Sequence, residues 1–223
     1  MTVLFELKNI SKEYGYNKIL DNINIKVNYG DRIGLVGNNG SGKTTLANII
    51  YGTESYKGGI VWNKGNVAIG YMKQSVEYIQ GFDTLSGGEK TKKLLSDILY
   101  GNYELIILDE PTNHIDFHVR EQLEEALIGF NGTIILVTHD RYMLEKVCNK
   151  LLVFKNNKII RYEYGIKEYL DRQKAKNEED AVLVLENRKS FILSKLSQCV
   201  IGSEEYNKWD FEFRELIKKI KKL

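Results

Sequence analysis

Three stretches of the chain are apolar almost without interruption: Leu105–Leu108, Ile134–Thr138 and Leu151–Phe154. Runs this short and this continuous fit strands of a parallel sheet whose two faces are both covered by helices. Arg32–Val36 is a fourth short run, which stops at Gly37 and gives way to a helical pattern from near Lys43. Residues 3–8 and 23–28 also read as strands. Helical periodicity occupies roughly 87–100, 117–129 and 140–148, so strands and helices alternate as they do in α/β domains. Lys158–Glu163 is expected to pair back on the preceding strand through a turn at Asn156-Asn157.

Past about residue 165 glycine almost vanishes and three helical stretches follow, 166–177, 181–197 and 204–221. In the middle one, Val184, Leu185, Phe191, Ile192 and Leu196 mark an apolar stripe, read as the seam of a helical hairpin. The expected organisation is a nucleotide-binding domain over 1–165 and a helical appendage over 166–223.

Composition narrows the picture only a little. The chain has 223 residues, 43% hydrophobic and 28% charged, and its 32 basic residues nearly balance 30 acidic ones. Neither figure argues for a nucleic-acid or membrane partner. The two cysteines, Cys148 and Cys199, lie in different segments and suggest neither a disulfide framework nor a zinc site, which fits a reducing cytosol. The first ten residues lack the apolar core of a signal peptide, and no apolar run approaches about 20 residues, so no membrane span is expected.

The chemistry is concentrated in two places. Gly37-Asn38-Asn39-Gly40-Ser41-Gly42-Lys43-Thr44 matches G-x-x-x-x-G-K-[ST] between a strand and a helix. Glycines let successive N–H groups turn inward on phosphate oxygens, and the helix that follows adds its positive N-terminus. Lys43 supplies a cation for the β- and γ-phosphates, the Thr44 hydroxyl is available to Mg²⁺, and Thr45 completes the loop. The second place is Leu105–Glu110, a buried strand that delivers Asp109 and Glu110 at its carboxyl end, where ligands of such sheets gather. Asp109 is suited to hold Mg²⁺, and Glu110 to polarise an attacking water.

Leu85-Ser86-Gly87-Gly88-Glu89 resembles the signature motif of ATP-binding cassettes. That resemblance implies a P-loop fold of the ABC type, with a largely parallel sheet, an N-terminal antiparallel β part and a helical subdomain. It further implies ATP and Mg²⁺ as ligands, and a site closed by Ser86, Gly87, Gly88 and Glu89 of a second cassette. The remaining family positions follow in order. Gln74 resembles the Q-loop glutamine near Mg²⁺ and the attacking water. His139 resembles the switch histidine that contacts the γ-phosphate. Asn113–Asp116 matches the D-loop along the dimer interface, and Tyr14 resembles the aromatic that stacks on adenine, with Tyr16 a nearby rival. His114 and His118 have no such context and are read as structural.

Asp109-Glu110-Pro111-Thr112-Asn113-His114-Ile115-Asp116, together with Glu89 in the signature, resembles the ABC-F branch over about residues 1–165. The tail, with Leu185-Glu186-Asn187-Arg188, is similar to the segment after the second cassette of such proteins. Members are cytosolic, act on the ribosome, and in some cases protect it from antibiotics. The resemblance therefore implies an ATPase working in the cytoplasm on the ribosome.

Only residues 75–84 separate Gln74 from the signature, too few for the groove that receives a transporter's membrane domain and enough only for a very short helical subdomain. Two departures stand against the family pattern: one cassette where two are usual, and no interdomain linker. These leave open a homodimer or half of a split or truncated two-cassette protein, and leave a transporter motor subunit or an ATP-binding half-module without turnover as alternative readings. The stretch 214–223 carries Arg214, Lys218, Lys219, Lys221 and Lys222 against Glu215, which suits either RNA contact or a solvated helix end.

Overall fold

The structure is a computed structural model. It describes residues 2–73, 96, 101–113, 115–197, 199 and 202–220, with 178–183 and 220 as backbone only. The chain divides into two compact units, Met1–Glu168 and Tyr169–Leu223.

The first unit begins with two long antiparallel strands, β1 (Val3–Tyr14) and β2 (Asn17–Asn28). Both run well beyond the expected 3–8 and 23–28. Irregular register near Leu7/Ile10, with Asn9 and Asn22 at φ 53°, interrupts the alternation from which a longer strand would be read. A strand not foreseen, β4 (Lys57–Trp62), pairs with β1 to give a three-stranded sheet ordered β2-β1-β4. Its Gly58-Gly59 start gives no strand signal.

The second sheet has six strands among the described residues. It contains β3 (Arg32–Val36), β5 (Ile69–Met72), β6 (Leu105–Asp109), β7 (Thr133–Val137), β8 (Lys150–Lys155) and β9 (Lys158–Tyr162). Their order is β5-β6-β7-β3-β8-β9, parallel throughout except for β9. β8 and β9 form the expected hairpin, with Asn156 and Asn157 at φ 51° and 60°, the geometry of a tight two-residue turn.

Among the described residues, the helices lying wholly in this unit are α1 (Lys43–Tyr51), α2 (Phe117–Gly129) and α3 (Arg141–Val147). Leu46, Ala47, Ile49 and Ile50 of α1 join Leu105, Ile107, Ile135, Val137, Leu152 and the inner residues of β1 and β2 in one buried core between the sheets. The alternate residues Ile106, Leu108, Ile134 and Leu136 are equally buried, on the face toward α2 and α3. The guanidinium of Arg32 donates to the carbonyls of Leu127, Ile128 and Phe130 at the end of α2, where Leu127 O also accepts the Phe130 N–H.

The second unit holds most of α4 (Ile166–Leu196) and all of α5 (Glu204–Ile220). The two helical stretches expected over 166–177 and 181–197 are one continuous helix. The acidic Glu178-Glu179-Asp180 between them contains no proline or glycine to stop it. The apolar stripe holds only in part: Ile192 is fully buried, whereas Val184 is 65% exposed. Phe191 meets Trp209 edge-on at 5.8 Å, and Arg188 lies against both rings while donating to Glu212.

Candidate active site

Strands β6, β7 and β3 are neighbours, parallel and in register, with Asp109 opposite Val137 and Val137 opposite Leu35. Their carboxyl ends therefore open three loops at one point on the sheet, as ligand sites of open α/β sheets require. A cavity of about 620 Å³ lies there, lined by Tyr14, Asn39, Gly40, Gly42, Lys43, Thr44, Thr45, Asp109, Glu110, Asn113 and His139, with Ile19 and Val137.

The loop after β3 is shaped by its glycines at two positions. Gly42, which caps α1, sits at φ 103°, a left-handed conformation costly to other residues. At Gly37 a side chain would meet Phe154 Cβ and Ser41 Oγ at 2.8 Å. Lys43 is buried against this loop, and its ammonium donates to the carbonyls of Gly37 (2.9 Å) and Asn38 (3.0 Å). Burial lowers its pKa, while the charges of Glu110 and Asp109 pull the other way.

Asp109 is 1% exposed. Its Oδ2 accepts a 2.6 Å hydrogen bond from Thr44 Oγ1, while Oδ1 is buried with no partner, as is Ser41 Oγ. Burial and the neighbouring Glu110 raise its pKa, against the Thr44 hydrogen bond and Lys43. An orphaned carboxylate oxygen beside a threonine hydroxyl is the donor set a hard cation takes. The residues therefore fit Mg²⁺.

Glu110 has φ 53°, a strained conformation for a side chain of its size. Its backbone N–H donates to Val137 O at 2.8 Å. Thr138 Oγ1 donates to Oε2 at 3.3 Å, and His139 Nε2 stands 3.6 Å from Oε1. Val137 thus fixes the backbone of Glu110, and Thr138 and His139, the next two residues, face its carboxylate.

Tyr14 lines the cavity, and its hydroxyl donates to Glu54 at 2.8 Å. Tyr16 is fully exposed and takes no part in the lining. Gly37, Asn38 and Ser41 shape the loop behind the cavity. Asp116 does not line it; its side chain caps α2 by accepting from Val119 N–H. Gln74, Ser86, Gly87, Gly88, Glu89 and His114 lie outside the described residues, as do the expected helix over 87–100, apart from Ser96, and the short helical subdomain. Ile19 and Thr138 were not foreseen: Ile19 comes from an unassigned part of β2, and Thr138 reads only as the last β-branched residue of a strand.

This fold and this site define an ATP-binding cassette. The family model described as "ABC transporter" matches residues 20–82. Two solved structures share the fold. The "ATP binding subunit of ABC transporter" gives a TM-score of 0.62 at 20% identity, covering 71% of this chain and 89% of its own. A "nucleotide-free ATP-binding cassette from an ABC transporter" gives 0.63 at 19%, covering 76% and 94%. The chain belongs to the ATP-binding cassette family.

Within it, the chain is of the ABC-F type. It is 34% identical to the "Ribosome protection protein VmlR" of Bacillus subtilis (strain 168), over 98% of this chain and 45% of the relative. It is 29% identical to the "Probable ATP-binding protein YheS" of Escherichia coli (strain K12), over 79% and 34%. It is 27% identical to the "ABC transporter F family member 5" of Arabidopsis thaliana, over 86% and 34%. The chain spans less than half the length of these relatives. Among the described residues no helix is long and apolar enough to cross a membrane.

Proposed function

We propose that the chain binds Mg-ATP between its glycine loop and the carboxyl end of β6, hydrolyses it when a second cassette closes the site, and acts on the ribosome. The observation that carries the hydrolytic part is the pair Asp109 and Glu110: one buried carboxylate has an orphaned oxygen, and the next is held by Thr138 and His139 at the mouth of the cavity. Lys43 offers its charge to the phosphates, and the amides of residues 39–45 offer donors. Thr44, Asp109 and, by family resemblance, Gln74 would hold magnesium, which when bound neutralises charge on the phosphate oxygens.

Glu110 accepts a hydrogen bond from the attacking water and orients it at the γ-phosphorus. The new bond forms from water oxygen to phosphorus as the bond to the β,γ-bridging oxygen breaks, and the proton that the water gives up passes by way of Glu110 to solvent, leaving ADP and inorganic phosphate. His139, beside the same carboxylate, faces the γ-phosphate, and Tyr14 provides a ring for the adenine to stack on. Ser86, Gly87, Gly88, Glu89 and Asp116 of a second cassette complete the enclosure. The ribosome as target is supported by the name of the VmlR relative and by the ABC-F type.

The test combines both halves. Glu110→Gln is expected to keep ATP affinity, lose turnover by orders of magnitude, and cosediment with ribosomes in sucrose gradients when ATP is present. Parental turnover in this variant would remove Glu110 from its role. Absence from the ribosomal fractions, with turnover lost, would remove the ribosome and leave the ATPase.

A further inference from the structure

Thr138 lies outside the set of residues that the motifs single out, yet it is only 3% exposed and its hydroxyl is used twice. The N–H of Asp140 donates to Thr138 Oγ1 at 3.1 Å. A hydroxyl carries a single proton, so with an acceptor position filled by that amide the proton is left for Glu110 Oε2, 3.3 Å away. Asp140 is itself fixed. Its side chain accepts from the N–H groups of Tyr142 and Met143 at the start of α3, and its other oxygen pairs with Arg120 of α2 at 2.8 Å.

Glu110 has reason to move without that bond. Its charge acts on the ammonium of Lys43, which draws the carboxylate toward the loop. A carboxylate drawn toward Lys43 would cancel the cation meant for phosphate and turn away from the water.

We propose that Thr138 is a positioning residue: its hydroxyl, oriented by the Asp140 amide, holds the Glu110 carboxylate toward the attacking water and away from Lys43. This rests on the reading of Glu110 as the water-orienting carboxylate. Its chemistry adds no bond-making step; it sets the direction of a group that makes one.

The experiment measures ATP turnover and KM for the whole chain carrying Thr138→Val or Thr138→Ser, each with Glu110 intact and in the Glu110→Gln background. Thr138→Val is expected to lower kcat about tenfold or more, the effect of losing one hydrogen bond to a charged group, with KM for ATP unchanged. Thr138→Ser restores most of kcat. In the Glu110→Gln background, Thr138→Val changes nothing further, because the group it positions no longer works. An equal loss in both backgrounds would make Thr138 a support for α3 and overturn the proposal, as would a parental kcat in Thr138→Val. Parental turnover in Glu110→Gln alone would instead sink the underlying reading of Glu110.

Discussion

Lys43 is asked to stay charged in a place that disfavours charge. Two of its three N–H bonds are spent on Gly37 and Asn38, which hold the loop in its curled form, and one remains for a ligand. Lys43→Ala therefore removes both a phosphate donor and a brace of the loop. ATP affinity in a calorimetric titration is expected to fall about 10- to 100-fold or more, the worth of one or two charge-assisted hydrogen bonds. Asp109 shows the same conflict in an acid. Its pKa is raised above 3.8 by burial and by Glu110, so the folded chain holds a proton more tightly than the unfolded one. Stability without ligand accordingly falls as pH rises from the ordinary carboxylate range through the raised value, and stays lowered above it. Asp109→Asn should raise the melting temperature of the ligand-free protein at neutral pH, by about 1 kcal/mol of stability, and should abolish the extra stabilisation that Mg²⁺ adds to ATP. Thermal melts with and without Mg-ATP decide this, and a lower melting temperature in the ligand-free variant would contradict it.

Elements differ in how openly their sequence declares them. β3, β6, β7 and α2 are legible almost to the residue because each is an uninterrupted apolar run or an amphipathic segment beginning at a capping aspartate, Asp116. β1 and β2 are not, since their bulges break the two-residue period that would have carried the reading past Lys8. The carboxylates and the loop lysine are legible because each stands in a spacing with a chemical reason. Thr138 and Ile19 are not, because what they do depends on which strands become neighbours. The same holds for Asp31, a loop aspartate in sequence but 4% exposed in the fold. Burial alone would raise its pKa, yet the Asn28 amide, Lys150 (2.6 Å) and Arg161 (3.0 Å) outweigh burial and hold it below its ordinary value. These contacts tie β2, β3, β8 and β9 together. The stability they give is complete above the unfolded value of 3.8 and is lost as pH falls through the lower folded one. Asp31→Asn strips the partners of their buried charge and should cost about 2–4 kcal/mol at neutral pH, read from urea denaturation, with a smaller difference in strong acid. An equal loss at every pH would assign the effect to packing instead.

At the scale of the molecule, the family resemblance assigns the closing of the site to Ser86-Gly87-Gly88-Glu89 of another cassette. If a second copy of this chain supplies them, each working site draws its lysine from one subunit and its signature from the other. Turnover per chain should then rise with protein concentration, where a self-contained site would give a constant value. A sharper test mixes two inactive variants. Lys43→Ala spoils the cradle and leaves the signature; Ser86→Arg spoils the signature and leaves the cradle. Neither homodimer has an intact site, but the mixed dimer has one, formed from the cradle of the Ser86→Arg chain and the signature of the Lys43→Ala chain. Random pairing makes half the dimers mixed, each with one good site of two, so recovered turnover should approach about a quarter of the parental rate. Recovery near that level requires sites shared between copies. A mixture as inactive as its components, while the parental chain is active, would place cradle and signature in the same chain and contradict the shared site; a parental chain inactive by itself would instead point to a different cassette as the partner.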